Sequence, residues 1–331
     1  MSHRAFHEDI LKMNSQNLLN EFYTALSNDI DEANSFPNKR PLLAHYTSIA
    51  VLEQIILNKE VWFSNPLGMN DHEEIVFGMM TGANAFRVHR GLIDACGTAA
   101  RHAILLEAFN GALQTFWDYE AFDTYVFCAS KHDPADIDGR LSQWRGYGGN
   151  GSGAAIVFNS EKFTVNPKAQ FIIAPVEYRT REEREEWAIG RLDLLAKLMG
   201  EHPLSDGDLA IPARAYLQRI KLASIYSKHI GFSEETEWRA LYRAAHDTGG
   251  LLKDMLGHAI VRNGIEPKLK LKLAPLKDVL ADDVSLEKLV DRIILGPTQA
   301  SVLSRPTVQR LLLNESLSIR LYQSRTPFRP A

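Results

Sequence analysis

The chain has 331 residues, 45% hydrophobic and 24% charged, with a net charge of −4. This is ordinary globular composition, long enough for about two domains or for one with a large insertion, and the charge shows no sign of a nucleic-acid binder. Two cysteines, Cys96 and Cys128, are too few for a disulfide framework or a structural zinc site and fit a reducing cytosol. The N-terminus MSHRAFHEDI has no apolar signal core, and no stretch approaches the roughly 20 apolar residues that span a bilayer. The expectation is a cytoplasmic protein with no membrane partner. Charge is uneven: residues 261–331 hold 12 Lys and Arg against 7 Asp and Glu, a net of +5, which leaves −9 on the first 260 residues.

Residues 1–36 carry Ile10, Leu11, Leu18, Leu19, Phe22 and Leu26 near helical spacing and predict a leading helix that ends near Asn28-Asp29. Leu42–Tyr46 reads as a strand. Thr47-Ser48 supplies hydroxyls to cap a helix whose Leu52, Ile55 and Ile56 share one face. Val61–Ser64 is a second strand, stopped by Asn65-Pro66. Asn70-Asp71-His72-Glu73-Glu74 starts a helix with acidic groups at its favourable end, and residues 75–118 read as helical throughout. Strands follow at Thr124–Ser130, Ala154–Phe158 and Phe171–Tyr178. Residues 181–200 and 208–230 predict two helices, an insertion or lid, with Gly231 placed to end the second in the left-handed conformation. Lys268–Leu273 alternates Lys and Leu, which predicts leucines on a core face and lysines on a solvent face. Leu289–Gly296 and Ser318–Tyr322 are further strands around a helix over 299–313. Without a regular strand-helix alternation the fold class is α+β, with a mixed or antiparallel sheet. The expected organisation is an N-terminal helical segment, 1–36, and one α+β domain, 37–331, carrying the helical insertion at about 181–230.

Gly146, Gly148 and Gly151 spell GxGxxG, but a dinucleotide fingerprint follows a strand and opens a helix. Here the glycines close a helix and precede a strand, so they read as a flexible turn. His45, Asp71, His72 and Glu74 are competent metal ligands without a supporting spacing, and no metal is expected. His132, His202, His229, His246 and His258 are scattered and read as surface groups. Cys128 lies in the apolar run TYVFCAS, where a thiol acts as a small hydrophobe. No GxSxG elbow marks a hydrolase. Glu235-Thr236-Glu237-Trp238-Arg239 stands out: read as a strand entry, it points both carboxylates to one face, with Arg239 continuing the row.

Over nearly its whole length the chain resembles the bacterial family catalogued as domain of unknown function 2971. The shared residues are His45-Tyr46-Thr47, Trp62-Phe63-Ser64, Asn70-Asp71 with Glu74, Phe127-Cys128-Ala129-Ser130, Trp144 with Tyr147, Gly153 with Ile156 and Phe158, Lys228, Glu235 with Glu237-Trp238-Arg239, Ile293–Pro297, and Ser324 with Pro327 and Arg329. The family's proline after Asn-Asp is His72 here, and the family name implies no activity. An early strand with His, a second with Ser and a late Glu-x-Glu is similar to the ADP-ribosyltransferase superfamily, whose members act on NAD. That resemblance implies His45 and Ser64 as NAD-holding groups, Tyr46 or Tyr147 as the aromatic that stacks on nicotinamide, and Arg239 beside them. It implies Glu237 as the catalytic carboxylate and Glu235 as the group that activates an acceptor, with Asn70, Asp71, Glu74 and Trp144 in support. The implied function is NAD-dependent ADP-ribosyl transfer or NAD glycohydrolysis by a toxin or defence effector, onto a protein or nucleic-acid acceptor. Two other readings remain open: a nucleic-acid-directed phosphodiesterase using His45, Asp71 and Glu74, and a non-catalytic nucleotide sensor or partner-binding module.

Overall fold

The computed structural model describes residues 3–69, 72–247, 249–261, 264–298 and 302–328. The chain divides into two compact units. One is helical and comes from three separate segments, Met1–Asp31, Met69–Phe122 and Glu177–Ile230; the other comprises Glu32–Gly68, Asp123–Val176 and Gly231–Ala331.

In the helical unit, helix Ala210–Ile225 is buried along most of its length. Helix His72–Val88 packs on it because its glycines leave room. A Cβ on Gly82 would lie 2.9 Å from Ile220, and one on Gly78 would lie 2.7 Å from the Ser224 hydroxyl. Phe86 and Phe109 stack at 4.0 Å. The Arg219 guanidinium, itself buried, grips both oxygens of Asp29 at 2.9 and 3.0 Å. Residues 75–118 are not one helix: Val88 ends the first, and Arg90–Cys96 and Ala99–Thr115 follow, with Thr98 capping the third through its hydroxyl. The helix expected over 208–230 stops at Ile225, six residues before Gly231, which has no left-handed φ. Ser227–His229 instead forms a short strand, parallel to Glu177–Arg179.

The other unit is built on a mixed sheet of ten strands, in keeping with the α+β class. We label them β1 (Leu42–Thr47), β2 (Glu60–Ser64), β3 (Thr124–His132), β4 (Ala154–Asn159), β5 (Ile172–Pro175), β6 (Glu237–Arg243), β7 (Leu256–Val261), β8 (Gly264–Lys272), β9 (Val290–Leu295) and β10 (Arg320–Gln323). Their order is β10-β9-β4-β1-β3-β2-β8-β7, with β6 paired to β3 and β5 to β6. Among the described residues only β9 and β10 run parallel within this sheet. The strand expected over Phe171–Tyr178 breaks after Pro175, whose ring nitrogen cannot extend the ladder.

At β3 the sheet forks. One edge of β3 is taken by β6 from Thr124 to Ser130. The other edge is shared: β1 pairs with Ser130–His132 and β2 with Val126 alone. The two sides of the sheet differ. On one, Phe63, Tyr125, Leu269 and Leu271 join Leu52, Ile55 and Ile56 of helix Ile49–Asn58 and Val308 and Leu312 of helix Ser304–Asn314 in the main core. The expected stripe and its hydroxyl cap are both present, the cap being Ser48, which accepts from the Val51 N–H. On the other side Ala44, Tyr46, Ala155, Val157 and Ile294 pack with Trp144 in a smaller cluster.

The glycine-rich turn is not a loose one. A Cβ on Gly153 would sit 2.1 Å from the Thr47 carbonyl, and one on Gly296 would sit 2.1 Å from that of Gly151. Backbone bonds from Gly296 and Thr298 to Gly153 and Gly151 then lock the turn against the end of β9. His132 also departs from expectation. It is buried and its Nε2 lies 2.9 Å from the Asp136 carbonyl; burial lowers its pKa and outweighs the neighbouring oxygens, which favour the charged ring.

Candidate active site

Directly opposed residues of antiparallel strands share a face. The register therefore sets Glu237 beside Ser130, Arg239 beside Cys128, and Leu241 beside Val126, all on the side away from the main core. Ser64 opposes Val126 and Lys268 opposes Ser64, so both belong to that same side. Cys128 is half-buried there, not enclosed as its apolar neighbours suggested.

Glu237 and Arg239 are 6% and 2% exposed. The Arg239 guanidinium donates from Nε to Oε1 at 2.8 Å and from a terminal nitrogen to Oε2 at 3.0 Å. A carboxylate taken out of water needs such a partner to remain charged, and this fork-on-fork geometry fixes its plane.

Glu235 is not the first residue of the same row. Thr236 has φ +42°, which is rare for a β-branched residue, and the strand starts only at Glu237. The turn is pinned from three sides. The Arg140 guanidinium donates to the Thr236 hydroxyl at 2.6 Å and to the Glu234 carbonyl at 2.7 Å, and the Lys131 N–H donates to the Thr236 carbonyl at 2.9 Å. Glu235 is left half-exposed, accepting from the Tyr147 hydroxyl at 3.2 Å. Tyr147 is 38% exposed.

Tyr46 and Trp144 hold this corner together. Trp144 is fully buried, meets the Tyr46 ring edge-on at 4.9 Å and donates from its indole to the Asp138 carbonyl. The Tyr46 hydroxyl accepts from the Arg140 N–H at 2.9 Å. Burial pushes the Tyr46 phenol up to about 12, so it stays protonated and acts as a strut, not a stacking platform. Sequence reasoning missed Arg140 and Thr236. A lone arginine in a polar loop carries no pattern, and a left-handed threonine is invisible to propensity.

His45 lies on the opposite side of the sheet. Its neighbours across the ladder are Ile156 and the Phe127 ring, the latter at 4.6 Å. Its Nδ1 is 2.8 Å from the Cys128 carbonyl, just past Ala44, the last residue of β1 paired with β3. The imidazole thus takes over where the ladder opens. Burial lowers its pKa, with the carbonyl pulling the other way, which suits a neutral ring carrying its proton on Nδ1. The structure therefore brings Tyr46, Trp144, Tyr147, Glu235, Glu237 and Arg239 together, puts Ser64 farther along the same side, and turns His45 away from them.

Ser64 accepts from the Lys268 ammonium at 2.8 Å. Lys268, expected on a solvent face, is 7% exposed and also bonds Glu266 at 2.8 Å. Alternation gave the right period for β8; it does not distinguish water from a polar protein surface. Asn70 and Asp71 lie outside the described residues, and of Glu74 only its place in helix His72–Val88 is described. Among the described residues no group of three or more His, Cys, Asp or Glu is arranged to hold a metal, and no helix is long and apolar enough to cross a membrane.

A family model described as "Protein of unknown function (DUF2971)" matches residues 143–240. The likeness expected over nearly the whole chain is thus seen over this part, which contains Trp144, Tyr147, Glu235, Glu237 and Arg239 but neither His45 nor Ser64. Neither the curated proteins nor the solved structures contain a match to the chain. The similarity to ADP-ribosyltransferases rests on residue order alone.

Proposed function

We propose that this chain cleaves the N-glycosidic bond of NAD and passes the ADP-ribosyl group to water or to an acceptor. The observation that carries the reading is the buried Glu237, held by Arg239 beside the more open Glu235–Tyr147 pair. When the bond between the ribose C1′ and nicotinamide breaks, its electron pair goes to the pyridinium nitrogen and positive charge develops on the sugar. A fixed carboxylate in a dry site stabilises that charge, and Glu237 needs no reorganisation to do so. A nucleophile then adds to C1′ and gives its proton to Glu235, which is near enough to solvent to release it. Tyr147 orients Glu235 and offers its ring to the departing nicotinamide. His45 has no part in this scheme.

The test is nicotinamide release from NAD by the purified full-length chain, with Glu237→Gln and Glu235→Gln alongside. Turnover that falls at least a hundredfold in Glu237→Gln while its fold is kept supports the reading. A well-folded wild-type chain that leaves NAD intact overturns it. In the role of toxin or defence effector, expression of the wild-type chain depletes cellular NAD and expression of Glu237→Gln does not. A second reading has its own support: both Glu237 oxygens are already occupied by Arg239, an arrangement suited to a sensor that binds ribose hydroxyls without turnover. NAD binding with no nicotinamide release selects it.

A further inference from the structure

The side of the sheet that carries Glu237 continues across β3 onto β2 and β8, and there Trp62, Ser64 and Lys268 form a second polar cluster. Lys268 opposes Ser64, and Lys270 opposes Trp62. The Lys268 ammonium, almost fully buried, gives one N–H to the Ser64 hydroxyl and one to the Glu266 carboxylate. An ammonium has three donors and no acceptor, so the Ser64 oxygen can only accept from it. Two protons are therefore left over: the Ser64 hydroxyl proton and the third ammonium proton, neither with an acceptor among the described residues. Two residues along the same face, the half-buried Trp62 indole is oriented by a 2.8 Å bond to Glu60 and carries the Lys270 ammonium 4.7 Å from its ring centre.

We infer that Trp62, Ser64 and Lys268 form the subsite for the adenosine diphosphate half of a dinucleotide, with phosphate oxygens on Ser64 and Lys268 and the base on Trp62. A hydroxyl and an ammonium 2.8 Å apart, each with a proton to give, match a phosphate. An aromatic side chain fixed by a hydrogen bond and a cation matches a nucleobase. The spacing agrees. Ser64 and Arg239 stand two strands and two residues apart, roughly 12 Å between Cα positions at sheet spacings, the reach of an extended dinucleotide and too far for a single sugar. The identity of the nucleotide rests on the NAD reading; the phosphate chemistry does not.

Isothermal titration of the full-length chain with ADP and adenosine tests this. The wild-type chain binds ADP at least tenfold more tightly than adenosine. Lys268→Met removes most of that preference, Lys268→Arg keeps it, Ser64→Ala weakens ADP severalfold, and Trp62→Leu weakens both ligands alike. No ADP binding by the wild-type chain, or an unchanged preference in Lys268→Met, overturns the subsite. Should Lys268→Met fail to fold, Ser64→Ala decides, and less than a twofold loss of ADP affinity overturns it. Nicotinamide release measured in parallel separates the two claims. Lys268-dependent ADP binding without NAD cleavage leaves the subsite and removes the reaction, whereas cleavage with an unchanged KM in Lys268→Met does the reverse.

Discussion

Each unit contains a buried arginine bound through two contacts to a carboxylate, and the two pairs serve different ends. In the helical unit Arg219 and Asp29 are 190 residues apart in sequence, and their bond fastens the N-terminal segment to the central helix. The Trp187 indole donates to the same carboxylate, and Arg219 also holds the Leu26 carbonyl. In the sheet unit Glu237 and Arg239 are two residues apart on one strand. The ladder with β3 already fixes both, so their bond closes no loop. A bond between two neighbours on one strand has the desolvation cost of any other buried pair and saves less chain entropy than one between distant segments. That imbalance is what makes the Glu237 pair a candidate for chemistry and the Asp29 pair a staple.

Removing one partner of each pair should break the comparison most sharply. Arg219→Met leaves Asp29 half-buried with weaker partners and should cost about 3–5 kcal/mol, read as a lower denaturation midpoint in urea. Glu237→Gln keeps the shape and one acceptor oxygen for Arg239. Its stability cost should be smaller, about 1–3 kcal/mol, while NAD cleavage falls ~10²–10³-fold, about 3–4 kcal/mol of transition-state stabilisation. Equal stability losses with no selective loss of turnover would make both pairs staples.

The same contrast governs what could be read from the sequence. Local features were legible: the stripe Leu52, Ile55 and Ile56 with its hydroxyl cap, the apolar strands β1 and β4, and Glu237-Trp238-Arg239 as the unusual run. Features made by residues far apart were not. Nothing in residues 69–122 or 177–230 shows that they pack together with the leading helix, because amphipathic periodicity gives a helix a buried face but not a partner. His45 was legible as a polar group in a strand; which side it faces depends on register with β3 and β4, set by residues more than 80 positions away. The fork between β1 and β2 is likewise a matter of pairing.

Acid should separate the two units by a smaller margin. Burial raises the Asp29 pKa, but the bond from Trp187 and the charges of Arg219 and Arg191 outweigh it, and the net shift is downward. A carboxylate with a depressed folded pKa contributes fully above its unfolded value, about 3.9, and loses that contribution as pH falls through the folded one. Stability measured from pH 5 downward should therefore drop in the wild-type chain and drop less steeply in Asp29→Asn. Because Asp29 is only half enclosed, solvent screening keeps the effect below that of Arg219→Met. Equal slopes in the two proteins would show that another carboxylate governs acid unfolding.

The smallest effect expected is at Thr236, where it reports how the two carboxylates of the run are kept apart. Its φ of +42° carries strain of order 1 kcal/mol, and the Arg140 and Lys131 bonds hold it there. Thr236→Gly relieves the strain, loses the hydroxyl bond and frees the unfolded chain, three terms of similar size, so its net change in stability should stay within about 1 kcal/mol. Thr236→Val keeps the strain and loses only the bond, and should be the less stable of the two. If glycine is the worse substitution, the entropy it adds to the unfolded chain exceeds the strain it relieves. Arg140→Gln removes both guanidinium bonds to the turn and should release Glu235 from Tyr147 and lower turnover with Glu237 still in place.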